Sequence, residues 1–412
     1  MRTWLTRKRS KYHMNSVILR TALVLGLLQA FGPFAIDMYL PSLPAIASDL
    51  EANTASVQAS LTSFMAAIAI CQLFYGPISD TIGRKPPLYF GMALYSIGAV
   101  GCALSPTIEW LVIARFFQGI GACAAMAIPR AIVRDCYTGS DAARLQGLLI
   151  MVFSVSPVLA PLAGSLIVKT HGWRDVFWVM AVVAGLGILL VAFALNETRP
   201  EHARVNSTIG SSLRGYVVLF RDRHFLGLAM IGAFGMAGFL AYIANSSFIL
   251  IGHYGLSPTG YSLMFSLNAV SLVGGSQLAG VMTRRYGFGS VVRLATTGFA
   301  FTMLVLLGAY FAGHDSLPVL VAMLFVGYSF LGLILPTTAV LALEDHGEIA
   351  GAASALMGTL QIVSGAIAMA IVGRLFDGTA KALVICVAVC AVSAFILTTL
   401  TVKSRPRLST IA

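Results

Sequence analysis

The segment GPISDTIGRK occupies residues 76–85, at the end of a long apolar run, and GVMTRRYG occupies residues 280–287 after a later apolar run. In both segments a charged residue lies four positions after the first glycine, and a second glycine lies seven positions after the first. The offset between the segments is 204 residues, close to half of the 412-residue chain. This repetition predicts two halves with the same arrangement of elements.

The composition around these segments is typical of a membrane protein. Apolar residues make up 58% of the chain, charged residues make up 10%, and the mean hydropathy is +0.86. These values exclude an ordinary soluble enzyme and a disordered chain, because soluble domains carry roughly a quarter charged residues. Apolar runs of about 20 residues, long enough to cross a bilayer as helices, predict twelve spans. The approximate spans are residues 17–39, 55–77, 88–105, 109–131, 145–167, 175–195, 224–249, 259–281, 290–312, 318–342, 350–373 and 380–402.

Lysine and arginine are distributed unevenly between the two sides of these spans. With the N-terminus in the cytoplasm, 22 of the 27 fall on the cytoplasmic side and four on the other, and Arg115 lies within a span. The positive-inside rule therefore predicts that both termini face the cytoplasm. The same distribution accounts for the net charge of +11 without a nucleic-acid partner.

The longest hydrophilic stretch lies at the middle of the chain. We expect an all-α membrane protein with an N-terminal six-helix bundle over residues 1–195, a cytoplasmic linker over residues 196–223 and a C-terminal six-helix bundle over residues 224–412. Pseudo-symmetric halves of this kind place a solute pathway between them, near the bilayer midplane.

Several stretches carry a family resemblance. Residues 76–87, GPISDTIGRKPP, resemble the loop signature of the major facilitator superfamily. Residues 36–44, IDMYLPSLP, and residues 115–119, RFFQG, resemble signatures of its bicyclomycin/chloramphenicol-resistance (Bcr/CflA) type of drug:proton antiporter. Residues 160–164, APLAG, are similar to the antiporter motif of that group. Residues 343–354 are also similar to sequences of the group.

The resemblance implies proton-coupled efflux of small amphipathic drugs or toxic metabolites by alternating access. It implies a location in the bacterial inner membrane, the proton gradient as the energy source without another cofactor, and a monomer. Three residues depart from the family pattern: Thr81 replaces a basic residue, Ala160 replaces a glycine, and Gln29 stands where some relatives carry an acid.

Asp37 and Arg115 are the candidate proton-coupling residues. Asp37 is the acidic residue that lies well inside a span, and such residues usually face a cavity and have a function. Helix rise places Asp37 and Arg115 at similar depth in the outer half of the membrane. If spans 1 and 4 are neighbours, as the family implies, the two interact directly or through water. The alternative is a structural ion pair without a role in coupling.

Candidate substrate-binding residues are polar or aromatic side chains within the spans. Gln118 shares a helix face with Arg115, and Gln29 lies two turns below Asp37. Aromatic walls with a few amides suit apolar ligands that carry one or two polar groups. The predicted set is Gln29, Tyr39, Gln118, Tyr242, Asn245, Phe265 and Asn268. The alternatives are a helix-packing amide for Gln29 and core or lipid-facing positions for the aromatic residues.

Two further groups concern conformational change. Asp80, Gly83 and Arg84 form a cytoplasmic turn in which Asp80 is expected to cap a neighbouring helix and Arg84 to pair with Asp135, as a latch of the outward-open state. This latch rests mainly on the resemblance, and the alternative is a turn whose positive charge only anchors the topology. Prolines kink helices and glycine permits close packing, so Pro157, Pro161 and Gly164 on span 5 are expected either to form a gate against span 8, at Gly274 and Gly275, or to serve plain helix packing.

Other chemistry has no support in the sequence. The six cysteines and seven histidines form no metal-binding pattern, and no phosphate-binding loop or nucleophile motif occurs. We therefore expect neither an enzyme nor a metalloprotein. The expected partners are protons, a small-molecule substrate and the lipid bilayer. The alternatives to an exporter are a uniporter or importer of a small metabolite on the same fold, and a receptor that does not translocate.

Overall fold

The computed structural model describes residues 21–136, 139–201, 204 and 209–402, and within them it is built of helices without a strand. The helices are α1 Thr21–Asp49, α2 Thr54–Ile82, α3 Lys85–Ala103, α4 Ile108–Cys136, α5 Gly139–Thr170, α6 Trp173–Ala194, α7 Ile209–Arg221, α8 Arg223–Ser247, α9 Pro258–Tyr286, α10 Phe288–Phe311, α11 Leu317–Glu344, α12 Ala350–Arg374 and α13 Lys381–Thr401. Both chain ends, and with them the predicted side of the termini, lie outside the described residues.

Ten of these helices are long and apolar enough to cross a membrane, as judged over the described part of the chain. The other two predicted spans are also helical. However, α3, which has 19 residues, and α5, whose apolar part is Val155–Thr170, are not among those ten. The twelve-span count therefore stays a prediction, as does the division into two six-helix bundles.

Helix ends follow local capping chemistry. The side chain of Asn53 accepts a hydrogen bond from the backbone of Ser56 at the start of α2, and Ser257 does the same for Gly260 at the start of α9. Asp222 accepts from two backbone N–H groups at the start of α8. Such side chains satisfy donors that the first helical turn leaves unpaired.

Helix α1 is interrupted next to Asp37. Its α-helical turns end at that residue, a 3₁₀ turn covers Leu40–Ser42, and α-helix resumes over Leu43–Asp49. Pro41 and Pro44 lack the N–H that a continuous helix requires, which explains the break. The break places Asp37 at a helix end inside the protein.

Apolar and polar side chains are distributed as expected for a protein in lipid. Large apolar side chains such as Phe193, Phe301 and Leu400 are 84%, 69% and 74% exposed. Conversely, polar side chains including Arg115 and Asn268 are completely buried. Lipid solvates the apolar surface, whereas polar groups in the hydrocarbon need partners or a cavity inside the protein.

Packing separates an N-terminal group, α1–α6, from a C-terminal group, α8–α13. Within the first group α4 packs on α2 and α3, and within the second α8 packs on α12 and α13. The two groups meet chiefly where α2 packs on α12 and α5 packs on α9. We call the end with the α2–α3 turn and α7 the linker face, and the opposite end the far face.

Candidate functional site

Asp37 lies beside the break in α1, inside the protein. Its side chain is 5% exposed, and it has no hydrogen bond or ion pair among the described residues. The break that follows Asp37 contacts the C-terminal group, since the carbonyl of Leu40 accepts a hydrogen bond from Ser247 of α8. Asp37 is therefore a buried acid of the N-terminal group near its boundary with the C-terminal group.

Arg115 is enclosed by aromatic rings. Its guanidinium lies 4.2 Å from the ring centroid of Phe64, 4.6 Å from that of Tyr39 and 5.9 Å from that of Phe177. Nη1 donates to the carbonyl of Ala35 at 3.2 Å, while Nε and Nη2 have no hydrogen-bond partner. Cation–π contacts thus replace an anion around this buried charge.

The direct form of the expected Asp37–Arg115 interaction is absent from this conformation. Within the part of the chain that the structure describes, no carboxylate lies within the 4.0 Å of Arg115 that an ion pair requires. The physical reason is that the guanidinium turns to the Ala35 carbonyl and the ring faces instead. Asp37 and Arg115 remain close in the chain fold, because Ala35 is two residues from Asp37.

Gln118 and Tyr39 both serve Arg115 in this structure. Gln118 Oε1 accepts from Arg115 Nη1 at 2.7 Å, and its Nε2 lies 3.6 Å from Met180 Sδ. The hydroxyl of Tyr39 lies 2.6 Å from Ser60 Oγ, while its ring covers the guanidinium. Both predicted substrate-binding residues therefore hold Arg115 in place here.

Gln29 lies against Arg130, nearer the linker face than Asp37. With its amide oriented so that Oε1 faces Arg130, Gln29 accepts from Nε at 3.1 Å and from Nη2 at 3.3 Å. Gln29 is 5% exposed, whereas the side chain of Arg130 is exposed. From the sequence, Arg130 is only one of the 22 predicted cytoplasmic charges, because its position alone does not show that it meets Gln29.

The C-terminal group contributes an aromatic cluster. Tyr242 and Phe265 stack with centroids 5.9 Å apart, and Tyr328 of α11 packs against Tyr242 at 5.5 Å. Asn268 Nδ2 donates to the Tyr242 hydroxyl at 3.1 Å. The structure thus brings three predicted residues together and adds Tyr328, which the sequence analysis missed. Asn268 Oδ1 and the Tyr328 hydroxyl are buried without a partner.

Asn245 lies apart from that cluster, at the seam between the two groups. Its Oδ1 accepts a hydrogen bond of 2.7 Å from Gln58 Nε2 on α2. Nearby, the hydroxyl of Ser247 donates to the carbonyl of Leu40. Both contacts lie toward the far face, so Asn245 closes this end of the seam rather than joining the aromatic cluster.

The predicted gate on α5 does contact α9, through serines. Ser262 donates to the carbonyl of Pro161 at 2.9 Å, and Ser266 to that of Pro157 at 3.4 Å. Pro161 has no N–H for the Pro157 carbonyl, which is thereby left free for Ser266. Gly164 packs so tightly against the carbonyl of Met38 that a Cβ would collide with it.

The expected contact of α5 with Gly274 and Gly275 is wrong. A Cβ at Gly275 would meet the backbone of Ser329 on α11, and one at Gly274 would meet nothing within 4 Å. The small residues of α9 therefore serve its packing against α11, and the serine hydroxyls serve its packing against α5.

The α2–α3 turn contains the expected ion pair. Arg84 is 1% exposed and contacts Asp135 with Nε at 2.7 Å and Nη2 at 3.0 Å. Gly83 has φ +100°, a value that favours glycine. The expected capping by Asp80 is wrong, because its carboxylate instead pairs with Arg84 at 2.7 Å. Burial opposes the charge of Arg84, yet the two carboxylates hold its pKa above the usual value.

Glu197 completes this turn and was missed by the sequence analysis. Its carboxylate accepts from the backbone N–H groups of Arg84 at 2.9 Å and Lys85 at 3.1 Å, at the start of α3. Burial raises the pKa of Glu197, but these bonds and that from Arg199 hold it below the usual value overall. The contacts join α2, α4 and the linker within the N-terminal group, so they do not tie the two groups together.

Metal binding finds no geometric support. Across the residues that the structure describes, no group of three or more histidine, cysteine, aspartate or glutamate side chains is placed to hold an ion.

Comparisons with known proteins agree with this architecture. A family model described as Major Facilitator Superfamily matches residues 25–369. The uncharacterized MFS-type transporter YdgK of Bacillus subtilis is 38% identical over 86% of this chain and 89% of its own length. The bicyclomycin resistance protein homolog of Haemophilus influenzae is 30% identical over 93% of this chain and 97% of its own length. A crystal structure of a D-xylose-proton symporter, at 18% identity, superposes with a TM-score of 0.72 over 95% and 98% of the two chains, which shows the shared fold. The predicted family resemblance is confirmed.

Proposed function

The chain belongs to the major facilitator superfamily, and we propose that it exports small amphipathic drugs or toxic metabolites in exchange for protons. It is a multi-pass membrane transporter rather than an enzyme. The name of the Haemophilus influenzae relative, a bicyclomycin resistance protein homolog, supports drug export over other solutes. The observation that carries the proposal is Asp37, a carboxyl that is buried between the two groups of helices and has no fixed partner among the described residues.

Asp37 is the proton-binding group in this proposal. An ionised carboxylate away from water and without a partner is unfavourable, so protonation or a nearby cation stabilises it. A carboxyl that is stabilised by a proton in one part of the cycle and by a nearby cation in the other couples proton flow to transport. Each tenfold difference in proton concentration then supplies about 1.4 kcal/mol per proton.

Arg115 is the partner whose position changes in the cycle. Its aromatic surroundings leave Nε and Nη2 unbonded, so the guanidinium retains donors for a carboxylate or a bridging water. When Asp37 loses its proton, attraction between the opposite charges favours a shorter distance. Arg115 already contacts Ala35, two residues before Asp37, so a local movement of the guanidinium would bring it to the carboxylate.

Alternating access would proceed by rocking of the two groups about the seam. Here the far-face contacts of Asn245 with Gln58 and of Ser262 with Pro161 are made. Opening the far face must break these contacts, and the linker face must close at the same time. In the proposed orientation the linker face is cytoplasmic, so the far face that these contacts close is the outer one. Twelve spans in two bundles, a monomer and the bacterial inner membrane belong to the same proposal.

The experiment is transport by the purified protein in liposomes that contain a pH-sensitive dye. A bicyclomycin or chloramphenicol gradient should drive proton movement in the opposite direction, and an imposed pH gradient should drive drug accumulation on the acidic side. Counterflow of drug without any proton movement would favour a uniporter and reject the exchange. Absence of flux for every compound tested would reject transport of this class.

A further inference from the structure

We propose that Arg130, held by Gln29, is a substrate-binding site for oxygen acceptors such as carbonyl, nitro and carboxylate groups, and that it disfavours organic cations. This inference rests on the proposed function, because it names the chemistry of the exported substrate. It adds a binding residue on α4 at which the transported molecule would first meet a charge.

Arg130 differs from its neighbours on α4 in the exposure of its side chain. Ile128, Pro129 and Ala131 are buried, whereas the side chain of Arg130 is exposed, although the residue lies within the apolar span Ile108–Val133. The helices packed against α4 are chiefly α2 and α3, both of the N-terminal group. The side chain of Arg130 therefore projects from the packed part of α4 and is accessible to a ligand.

Helix α1 fixes the direction of that side chain. A Cβ on Gly32 would collide with the side chain of Met126, so α1 and α4 approach closely one turn from Arg130. This register sets Gln29 opposite Arg130, and one amide oxygen accepts from both Nε and Nη2. The guanidinium has five N–H donors, so most remain available to a ligand.

Within the described part of the chain, this guanidinium has no anion beside it. Among the residues that the structure describes, no carboxylate pairs with Arg130, and its hydrogen-bond partner is a neutral amide. A fixed positive charge in a partly enclosed space attracts anions and oxygen dipoles and repels cations. Hydrogen bonds to charged donors are also about twice as strong as neutral ones.

Gln29 determines that selectivity by being neutral. A glutamate in its place would form an ion pair with Arg130 and cancel the positive charge at the site. Gln29→Glu should therefore shift preference from oxygen acceptors toward cations, whereas Gln29→Asn should lengthen or break the contact without changing the charge.

The test is ligand binding to the purified full chain in detergent without a pH gradient. The probes are chloramphenicol and nalidixate as acceptors and tetraphenylphosphonium as the cation. We expect Arg130→Gln to weaken binding of both acceptors about tenfold, which corresponds to about 1.4 kcal/mol. Tetraphenylphosphonium binding should stay equal or strengthen. Arg130→Lys should remain within about threefold of the unmodified protein, and Gln29→Glu should favour the cation.

Arg284→Gln is the matched control, because Arg284 is an exposed arginine at the end of α9. It should change no affinity, and an unchanged melting temperature of Arg130→Gln excludes misfolding. Acceptor binding by Arg130→Gln within twofold of the unmodified protein would overturn the inference, as would equal weakening of all three probes or an unmodified protein that prefers the cation. Loss of proton coupling in a protein that keeps this selectivity would refute the proposed exchange alone.

Discussion

The side-chain amide of Gln58 on α2 donates a hydrogen bond of 2.7 Å to the amide oxygen of Asn245 on α8. Both residues are buried, and the Asn245 amide nitrogen also donates to the carbonyl of Ala241. The pair joins the N-terminal and C-terminal groups near the far face. Because an unpaired buried amide costs about 1–3 kcal/mol, this bond stabilises the conformation in which the far face is closed.

Replacement of one partner should open the far face. Gln58→Ala leaves the Asn245 amide oxygen unsatisfied in the closed state but lets water reach it in the open state. We expect the open population to rise about tenfold. Spin labels at Glu51 and Asp377, exposed residues of the far face, would report this as a larger fraction of long distances. Thr399→Ala, on the exposed surface of α13, is the control, and an unchanged distance distribution in Gln58→Ala would contradict the assignment.

Close packing of α5 on the break in α1 should be essential to closure. In Gly164→Ala the added methyl group would meet the carbonyl of Met38, and overpacking of this kind typically costs about 1–3 kcal/mol. We expect drug efflux to fall about tenfold. Gly185→Ala is the matched control, because a Cβ there meets nothing within 4 Å. Equal efflux by the two variants in whole cells would show that the approach is not needed.

Glu197 should make the stability of the α2–α3 turn dependent on pH. Its pKa lies below the usual value, so its hydrogen bonds stabilise the fold fully above that usual value, near 4.5, and are lost as the pH falls further through the lowered pKa. Glu197→Gln should therefore melt below the unmodified protein at pH 7, and the difference should shrink at about pH 4. A difference that is constant between those pH values would refute the role of the charge.

The hydroxyl of Tyr328 is buried without a partner, which suggests a ligand-binding role for this group. Removing an unsatisfied hydroxyl should not destabilise the fold, since no hydrogen bond is lost. We expect Tyr328→Phe to keep or raise the melting temperature while drug binding weakens about tenfold. Tyr242→Phe is the contrast, because its hydroxyl accepts from Asn268 and its loss should lower the melting temperature. Unaltered drug affinity in Tyr328→Phe would remove this residue from the site.

The fold was largely predictable because its signals are local. Runs of apolar residues mark the helices, and the repeat at residues 76–85 and 280–287 predicts two halves. Arg84 and Asp135 were paired correctly from the resemblance of the α2–α3 turn, and their contact is present. Helix ends were less predictable, since α2 continues to Ile82, beyond the predicted end at residue 77.

The site was only partly predictable because its contacts connect distant parts of the chain. Asp37 and Arg115 were recognisable as charges within apolar spans. The rings of Phe64 and Phe177 that enclose Arg115 come from α2 and α6, and no spacing in the sequence links them. Likewise, Gln58 and Asn245 are 187 residues apart.

The central claim is that Asp37 exchanges a proton against substrate. The most direct measurement is proton release on addition of bicyclomycin or chloramphenicol to the purified protein in weakly buffered detergent solution. We expect the unmodified protein and Asp377→Asn, a change at an exposed far-face aspartate, to release protons, and Asp37→Asn to bind the drug without release. Proton release by Asp37→Asn equal to that of the unmodified protein would contradict the account.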